Sequence, residues 1–347
     1  MSYAIYAGPA SPYSHKVRAV FRYRRIPHTW LVPMGGFSGS AALGSDSDSV
    51  ETPLHKARKG VVPVVEYPDG SYKADSTPII LDLEARHEGR SIVPPNAAIA
   101  FLAQFIEEMA DEYLPIPMFY FRWLEDDRWC GRRQMTGWNG PLDDETLERY
   151  ATNFLERQQG QLGPLRALPR DVVLEIYENF LDALERVLSE RFFLFGDRPS
   201  LAEFGIYGQM TQYAIDPMVS SILRERAVRA FQWTFFIDDL SGYPEGEWFA
   251  PEDCLTESME GLIRSLAPWY FALLDRIRTN LSGPLDATRL NGAAYRVRCL
   301  LSLKQQLAAL SDADRALVKP FLERVDCWEP LQFREGEAEQ VTPIVVG

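Results

Sequence analysis

The chain opens on an apolar run, Tyr3-Ala4-Ile5-Tyr6-Ala7, closed by Gly8, Pro9 and Pro12. A short apolar run ended by breakers predicts a strand. Apolar side chains then recur at Tyr13, Val17, Val20 and Phe21, positions that share one face of a helix. Ser11 stands where an N-cap belongs, and Pro12 takes the first helical position, where its missing N–H is no loss. The segment SPYSHKVR (Ser11–Arg18) therefore sets a hydroxyl at the positive end of a helix, just beyond a first strand. Such a place favours an anion, a thiolate included.

His28–Val32 carries β-formers and ends at Pro33, which predicts a second strand. From Met34 to Thr52 the pattern gives way to Gly, Ser and Asp, and a surface loop is expected. Val61–Glu66 reads as a buried strand with Pro63 near its start, since proline cannot donate to an inner ladder. Pro68-Asp69-Gly70 supplies a turn and Tyr72–Ala74 a hairpin partner. Asp75-Ser76-Thr77-Pro78 starts a helix whose inner face is Ile79, Ile80, Leu83 and the ring of His87. The order is that of an α+β unit with a four-stranded mixed sheet, the thioredoxin-like arrangement.

Gly89–Asn96 reads as a linker, and nearly everything after it has helical period. Ile99, Leu102, Ile106, Met109 and Tyr113 form one stripe; Ile176, Phe180, Leu184 and Val187 form another. Helices separated by short breaks predict an all-α second domain. Within it, Ser200 and Glu203 have the spacing of a capping box. The Gly-bearing piece Cys130–Pro141 reads as a loop insertion, and Arg122 as an exposed partner of Glu125, Asp126 and Asp127. Leu223–Leu240 and Leu255–Leu281 are further helices. A last helix through Tyr295, Cys299, Leu303 and Leu307 and a shorter one near Asp312–Val325 follow, before an extended Gln340–Val346. The domains expected are 1–90, 97–283 and a C-terminal helical extension over 284–347.

Composition narrows the function classes. Hydrophobic residues make up 46% of the 347 and charged ones 24%, the proportions of a soluble globular chain. A formal net charge of −13 argues against nucleic acid as a partner. No apolar run is long enough to span a bilayer, and MSYAIYAGP has neither the basic start nor the apolar core of a signal peptide. A cytoplasmic protein with reduced thiols at Cys130, Cys254, Cys299 and Cys327 is expected. The scattered His15, His28, His55 and His87 suggest no metal centre.

SPYSHKVR together with VVPVVEYPDGSYKADSTPIILDLEAR resembles the N-terminal domain of glutathione transferases. The segment FFLFGDRPSLAEFGIYGQ (192–209) resembles the folding box of their second domain, with Glu203 where the family often has Asp. The resemblance implies that Ser11 donates a hydrogen bond to the glutathione sulfur. It further implies that the backbone of Val62 pairs with the cysteinyl unit, that Pro63 is a cis-proline, and that Asp75 and Ser76 hold the γ-glutamyl end. Free N–H groups at the Ser76–Ile79 helix start would attract a carboxylate, while Asp75 would accept from an ammonium. Tyr113, Phe119 and Tyr120 lie where the family builds the wall for a second, hydrophobic substrate, although core packing is the plainer reading of these rings.

The implied chemistry is glutathione as co-substrate, with no metal and a homodimer as the expected assembly. A thiol of pKa about 8.5 would be held as thiolate by Ser11 and would attack an electrophilic small molecule. Ser14, turned onto the helix, and Tyr6, late in the strand, are the other hydroxyls available; Tyr13 reads as core. Disulfide exchange needs a cysteine in this turn, and Ser11 and Ser14 fill both places. A non-catalytic glutathione-binding or protein-interaction module on the same fold is the alternative.

Overall fold

The computed structural model describes residues 2–31, 53–57, 62–280 and 293–341. The loop expected over 34–52 and nearly all of the extended tail lie outside the described residues. Strands β1 (Tyr3–Tyr6), β2 (His28–Leu31), β3 (Val64–Glu66) and β4 (Tyr72–Ala74) form one sheet in the order β2-β1-β3-β4. β1 runs parallel to β2 and antiparallel to β3, which is antiparallel to β4. Tyr6 faces both Leu31 and Val64, and Val64 faces Ala74. The end of β1, the start of β3 and the end of β4 therefore lie along one edge. Ser11, Val62-Pro63 and Asp75-Ser76 all leave the sheet there.

Strand alternation sorts the two faces. Ile5 and Val65 join Val17, Val20, Ile79, Ile80 and Leu83 in the main core, under helices α1 (Pro12–Tyr23) and α3 (Ser76–Arg86). Val64 and Ala74 look the other way, with Tyr6, Tyr72 and Leu54 of the short helix α2 (Pro53–Lys56).

The helical part begins with α4 (Ala97–Glu112), α5 (Pro115–Leu124), α6 (Asp127–Asn139), α7 (Asp144–Gln161) and α8 (Arg170–Glu190). It continues with α9 (Leu201–Tyr213), α10 (Pro217–Arg226), α11 (Val228–Ile237), α12 (Glu257–Asn280), α13 (Ala293–Ala309) and α14 (Asp312–Arg324). Every residue of α9 is buried, as befits a helix enclosed on all sides. Its glycines allow close approach: a Cβ on Gly205 would lie 3.0 Å from Glu107 Cα, and one on Gly208 2.9 Å from the Pro12 carbonyl oxygen. α9 is thus the spine on which α4 and α1 both rest. Among the described residues no helix is long and apolar enough to cross a membrane.

The capping box at the start of α9 forms as expected. Ser200 N–H donates to Glu203 Oε2 at 2.7 Å, the Ala202 N–H donates to Ser200 Oγ at 3.2 Å, and Leu194 N–H also donates to Glu203. Ser200→Ala should lower the free energy of unfolding by about 1–2 kcal/mol, read as a lower urea midpoint at unchanged slope.

Two local expectations are overturned. Residues 130–139 are not a loop but part of α6, which packs on α7 and on the turn after β1. The glycines read as breakers are contact points: a Cβ on Gly131 would meet the Ala151 carbonyl oxygen at 3.3 Å, and one on Gly137 would meet Pro9 at 3.3 Å. Arg122 is 3% exposed, so it does not pair with its acidic sequence neighbours in solvent. It donates to Asp216 Oδ2 at 2.6 Å and to Gln212 Oε1 at 2.8 Å.

Candidate active site

The turn between β1 and α1 places Ser11 as the N-cap of α1. Its Oγ accepts from the Ser14 N–H at 3.3 Å, and its own N–H donates to the Gly8 carbonyl at 3.0 Å. The Ser11 hydroxyl proton finds no acceptor among the described residues. The other hydroxyls nearby are either sealed in or already donating. Ser14 is fully buried, with no hydrogen-bond partner for its Oγ. Tyr6 donates to Glu66 Oε2 at 2.8 Å on the far face of the sheet, where burial and then that carboxylate raise its pKa. Tyr13 donates to the Asp111 carbonyl at 2.8 Å.

Helix α6 braces this turn. Gln134 donates to the Ala10 carbonyl at 3.3 Å, Arg133 to the Pro9 carbonyl at 3.4 Å, and the Trp138 indole lies against Gly8. The Pro9 carbonyl is also 2.8 Å from His15 Nε2. Burial, then the neighbouring Arg18, lowers the His15 pKa to about 4. A neutral imidazole therefore serves here as a scaffold. None of these three α6 contacts was foreseen, because the segment read as a loop.

At the same sheet end, Val62-Pro63 is a cis peptide, as the resemblance implied. Asp75 has φ +86°, a region non-glycine residues seldom occupy, and its side chain does not cap α3. The Ile79 N–H is taken by the Asp75 carbonyl at 3.1 Å and Pro78 has none, so the free donors shrink to Ser76 and Thr77. The Asp75 carboxylate accepts a hydrogen bond from Tyr295 at 2.7 Å. Burial raises its pKa to about 6, against the opposing pull of Tyr295 and Lys16.

Beneath these helix starts lies a charge cluster with no counterpart among the sequence expectations. Lys16 is fully buried; its ammonium donates to Thr77 Oγ1 at 2.9 Å, to Asp111 Oδ2 at 2.6 Å and to Glu107. It joins α1, α3 and α4. Burial opposes its charge, but the two carboxylates outweigh that and raise its pKa. One ammonium cannot neutralise both acids. Asp111, whose Oδ1 is buried without a partner, is pushed upward by burial against the pull of Lys16.

Tyr113, Phe119 and Tyr120 are packed among the helices. Tyr113 and Tyr120 are buried in the main core, at 2% and 8% exposure, and Phe119 packs edge-on against Trp123 at 5.9 Å. The space beside the turn is a groove of about 500 Å³, lined by Pro9, Trp129, Arg132, Arg133, Thr136 and Leu147. Glu108, Glu112 and Cys299 bring donor atoms within 4.8 Å of one another. Burial raises Glu108 and the Cys299 thiol well above their ordinary values, and Glu112 already accepts from Arg296 at 2.8 Å.

Comparisons with known proteins bear on the family of the two domains. Residues 10–86 match the glutathione S-transferase N-terminal domain and residues 145–244 its C-terminal domain, together about half of the chain. Among curated proteins none matches. Solved structures similar to the chain include a glutathione S-transferase from Methylobacillus flagellatus KT with GSH bound. It is 17% identical at a TM-score of 0.43, over 69% of this chain and 99% of that one. The beta-etherase of Sphingobium sp. strain SYK-6 is 19% identical at a TM-score of 0.48, over 69% and 95%. A glutathione transferase from Phanerochaete chrysosporium in complex with oxidized glutathione is 15% identical at 0.38, over 70% and 92%. With its thioredoxin-like sheet, its helical second domain and a matching family domain on each, the chain belongs to the glutathione S-transferase family.

Proposed function

We propose that this protein is a glutathione-dependent transferase in which the Ser11 hydroxyl holds the glutathione sulfur as a thiolate. The observation that carries the reading is the state of the hydroxyls: Ser11 keeps an uncommitted proton at a helix start, while Ser14 is sealed in and Tyr6 and Tyr13 already donate elsewhere. Cap and catalyst are compatible, because the oxygen accepts from Ser14 while the proton points outward. The other handles follow from the same sheet end. The backbone of Val62, before Pro63, pairs with the cysteinyl unit. Asp75 accepts from the γ-glutamyl ammonium, and the N–H groups of Ser76 and Thr77 face its carboxylate.

In the reaction the thiol loses its proton to solvent. The thiolate then forms a carbon–sulfur bond to an electrophile, and the electron pair leaves with the displaced group or passes to an acceptor carbon that water protonates. With Tyr113 and Tyr120 enclosed in the core, the groove beside Pro9, walled by Trp129, Arg133 and Leu147, is the better place for that second substrate. A homodimer is part of the same proposal, to be read from sedimentation.

The test is calorimetric titration with glutathione, followed by conjugation of a model electrophile. Wild type should bind and turn over. Asp75→Asn should weaken binding about tenfold, the loss expected when a hydrogen bond between charged partners becomes neutral. Binding without turnover on any electrophile would favour the non-catalytic module, and absence of binding would remove both readings.

A further inference from the structure

We propose that Tyr295, on helix α13 of the C-terminal extension, is a positioning residue that holds the Asp75 carboxylate as acceptor for the ligand's amine. The inference rests on the glutathione reading above and extends it to a segment outside both matched family domains. The geometry is direct. The Tyr295 phenol donates to Asp75 Oδ2 at 2.7 Å across 220 residues of sequence. The ring is 7% exposed, and the next residue, Arg296, pins the same turn of α13 to α4 by donating to Glu112 Oε2 at 2.8 Å. Leu300, Leu303 and Leu307 then seat α13 in the main core. The phenol engages one carboxylate oxygen, and a carboxylate has a second to offer an ammonium.

The charges around Asp75 explain why such a donor is needed. Tyr13 and Lys16 face it from α1, Glu107 and Glu112 from α4, and Tyr295 and Cys299 from α13. The one cation of this set on the sheet side, Lys16, is shared between Glu107 and Asp111, and Arg296 is committed to Glu112. Burial and two further acids therefore press Asp75 toward its neutral form, and Tyr295 donates to the ionised one. A protonated Asp75 would be a poor partner for an ammonium. The backbone at φ +86° adds a second reason for a tether, since an unusual conformation persists only where its surroundings hold it.

The experiment is calorimetric binding of S-methylglutathione, which lacks a titrating thiol, to the full chain between pH 5 and 8. Wild type should bind more tightly as the pH rises through about 6 and then level off. Tyr295→Phe keeps the ring and should move that rise upward by about one pH unit, leaving binding about fivefold weaker at pH 6 and nearly equal at pH 8. A variant profile that superimposes on wild type overturns the proposal while leaving the glutathione reading intact. So does a loss of equal size at every pH, which would mark a purely structural role. Absence of wild-type binding at any pH overturns both.

Discussion

Ser11→Ala should lower the rate of glutathione conjugation by about 8- to 25-fold near pH 7, the loss of thiolate when the thiol's pKa returns to about 8.5, with less effect on glutathione affinity. A hydrogen bond to a charged partner is worth about 1.5–3 kcal/mol, roughly one to two units in the thiol's pKa. Glutathione keeps its other handles at Val62, Asp75 and Ser76, so the loss belongs in turnover and not in binding. The defect should shrink as the pH rises toward 9, where the free thiol of pKa about 8.5 ionises unaided. Part of any change will be structural, because Ser11 also caps α1 through the Ser14 N–H. The two roles separate by measurement: cap loss costs about 1 kcal/mol in a urea titration and does not depend on pH near neutrality. An unchanged pH–rate profile in the variant would assign the chemistry to another group.

Lys16→Met should destabilise the protein by about 3–5 kcal/mol at neutral pH, the range for removing one partner of a buried ion pair. Lys16 and Glu107 are fully buried and Asp111 is 6% exposed. Methionine keeps the apolar stem but strands two carboxylates between α1, α3 and α4. The pH dependence carries a sign. Burial holds the folded-state pKa of Asp111 above its unfolded value of about 3.9, so between the two the folded protein binds more protons than the unfolded chain. Stability from this group is therefore present at low pH and is lost as pH rises through the folded value. Without the ammonium the carboxylates repel each other unopposed. The variant's deficit should then be larger at pH 8 than at pH 5 in urea unfolding. A deficit below about 1 kcal/mol at both would mean that the cluster relaxes by admitting water.

The parts of the fold that could be read from the sequence are those whose partners sit within a few residues. Ser11 before Pro12 and Ser200 before Glu203 are caps completed inside one helical turn, and both form. The apolar run Tyr3–Ala7 and the stripe from Ile99 to Tyr113 likewise report burial without knowledge of the rest of the chain. What escaped notice depends on distant partners. Arg122 looked like a surface charge because its ligand, Asp216, lies 94 residues away. Gly131 and Gly137 looked like breakers because the atoms they admit, on Ala151 and Pro9, belong to other elements. Lys16 adjoins Val17 in a segment whose other residues explain a helix well enough, and Glu107 and Asp111 interrupt an apolar helix four residues apart. That pattern of charges buried on facing helices was the available signal. Tyr295 gave none, since nothing in its surroundings names Asp75 as its partner.

The most direct test of the central claim is the ionisation of glutathione's own thiol in the complex, followed by the ultraviolet absorbance of the thiolate across pH. Bound to wild type, the thiol should titrate at least one unit below its free value of about 8.5, and in Ser11→Ala it should return toward that value. A bound thiol that titrates at or above the free value in the wild-type protein would contradict the account.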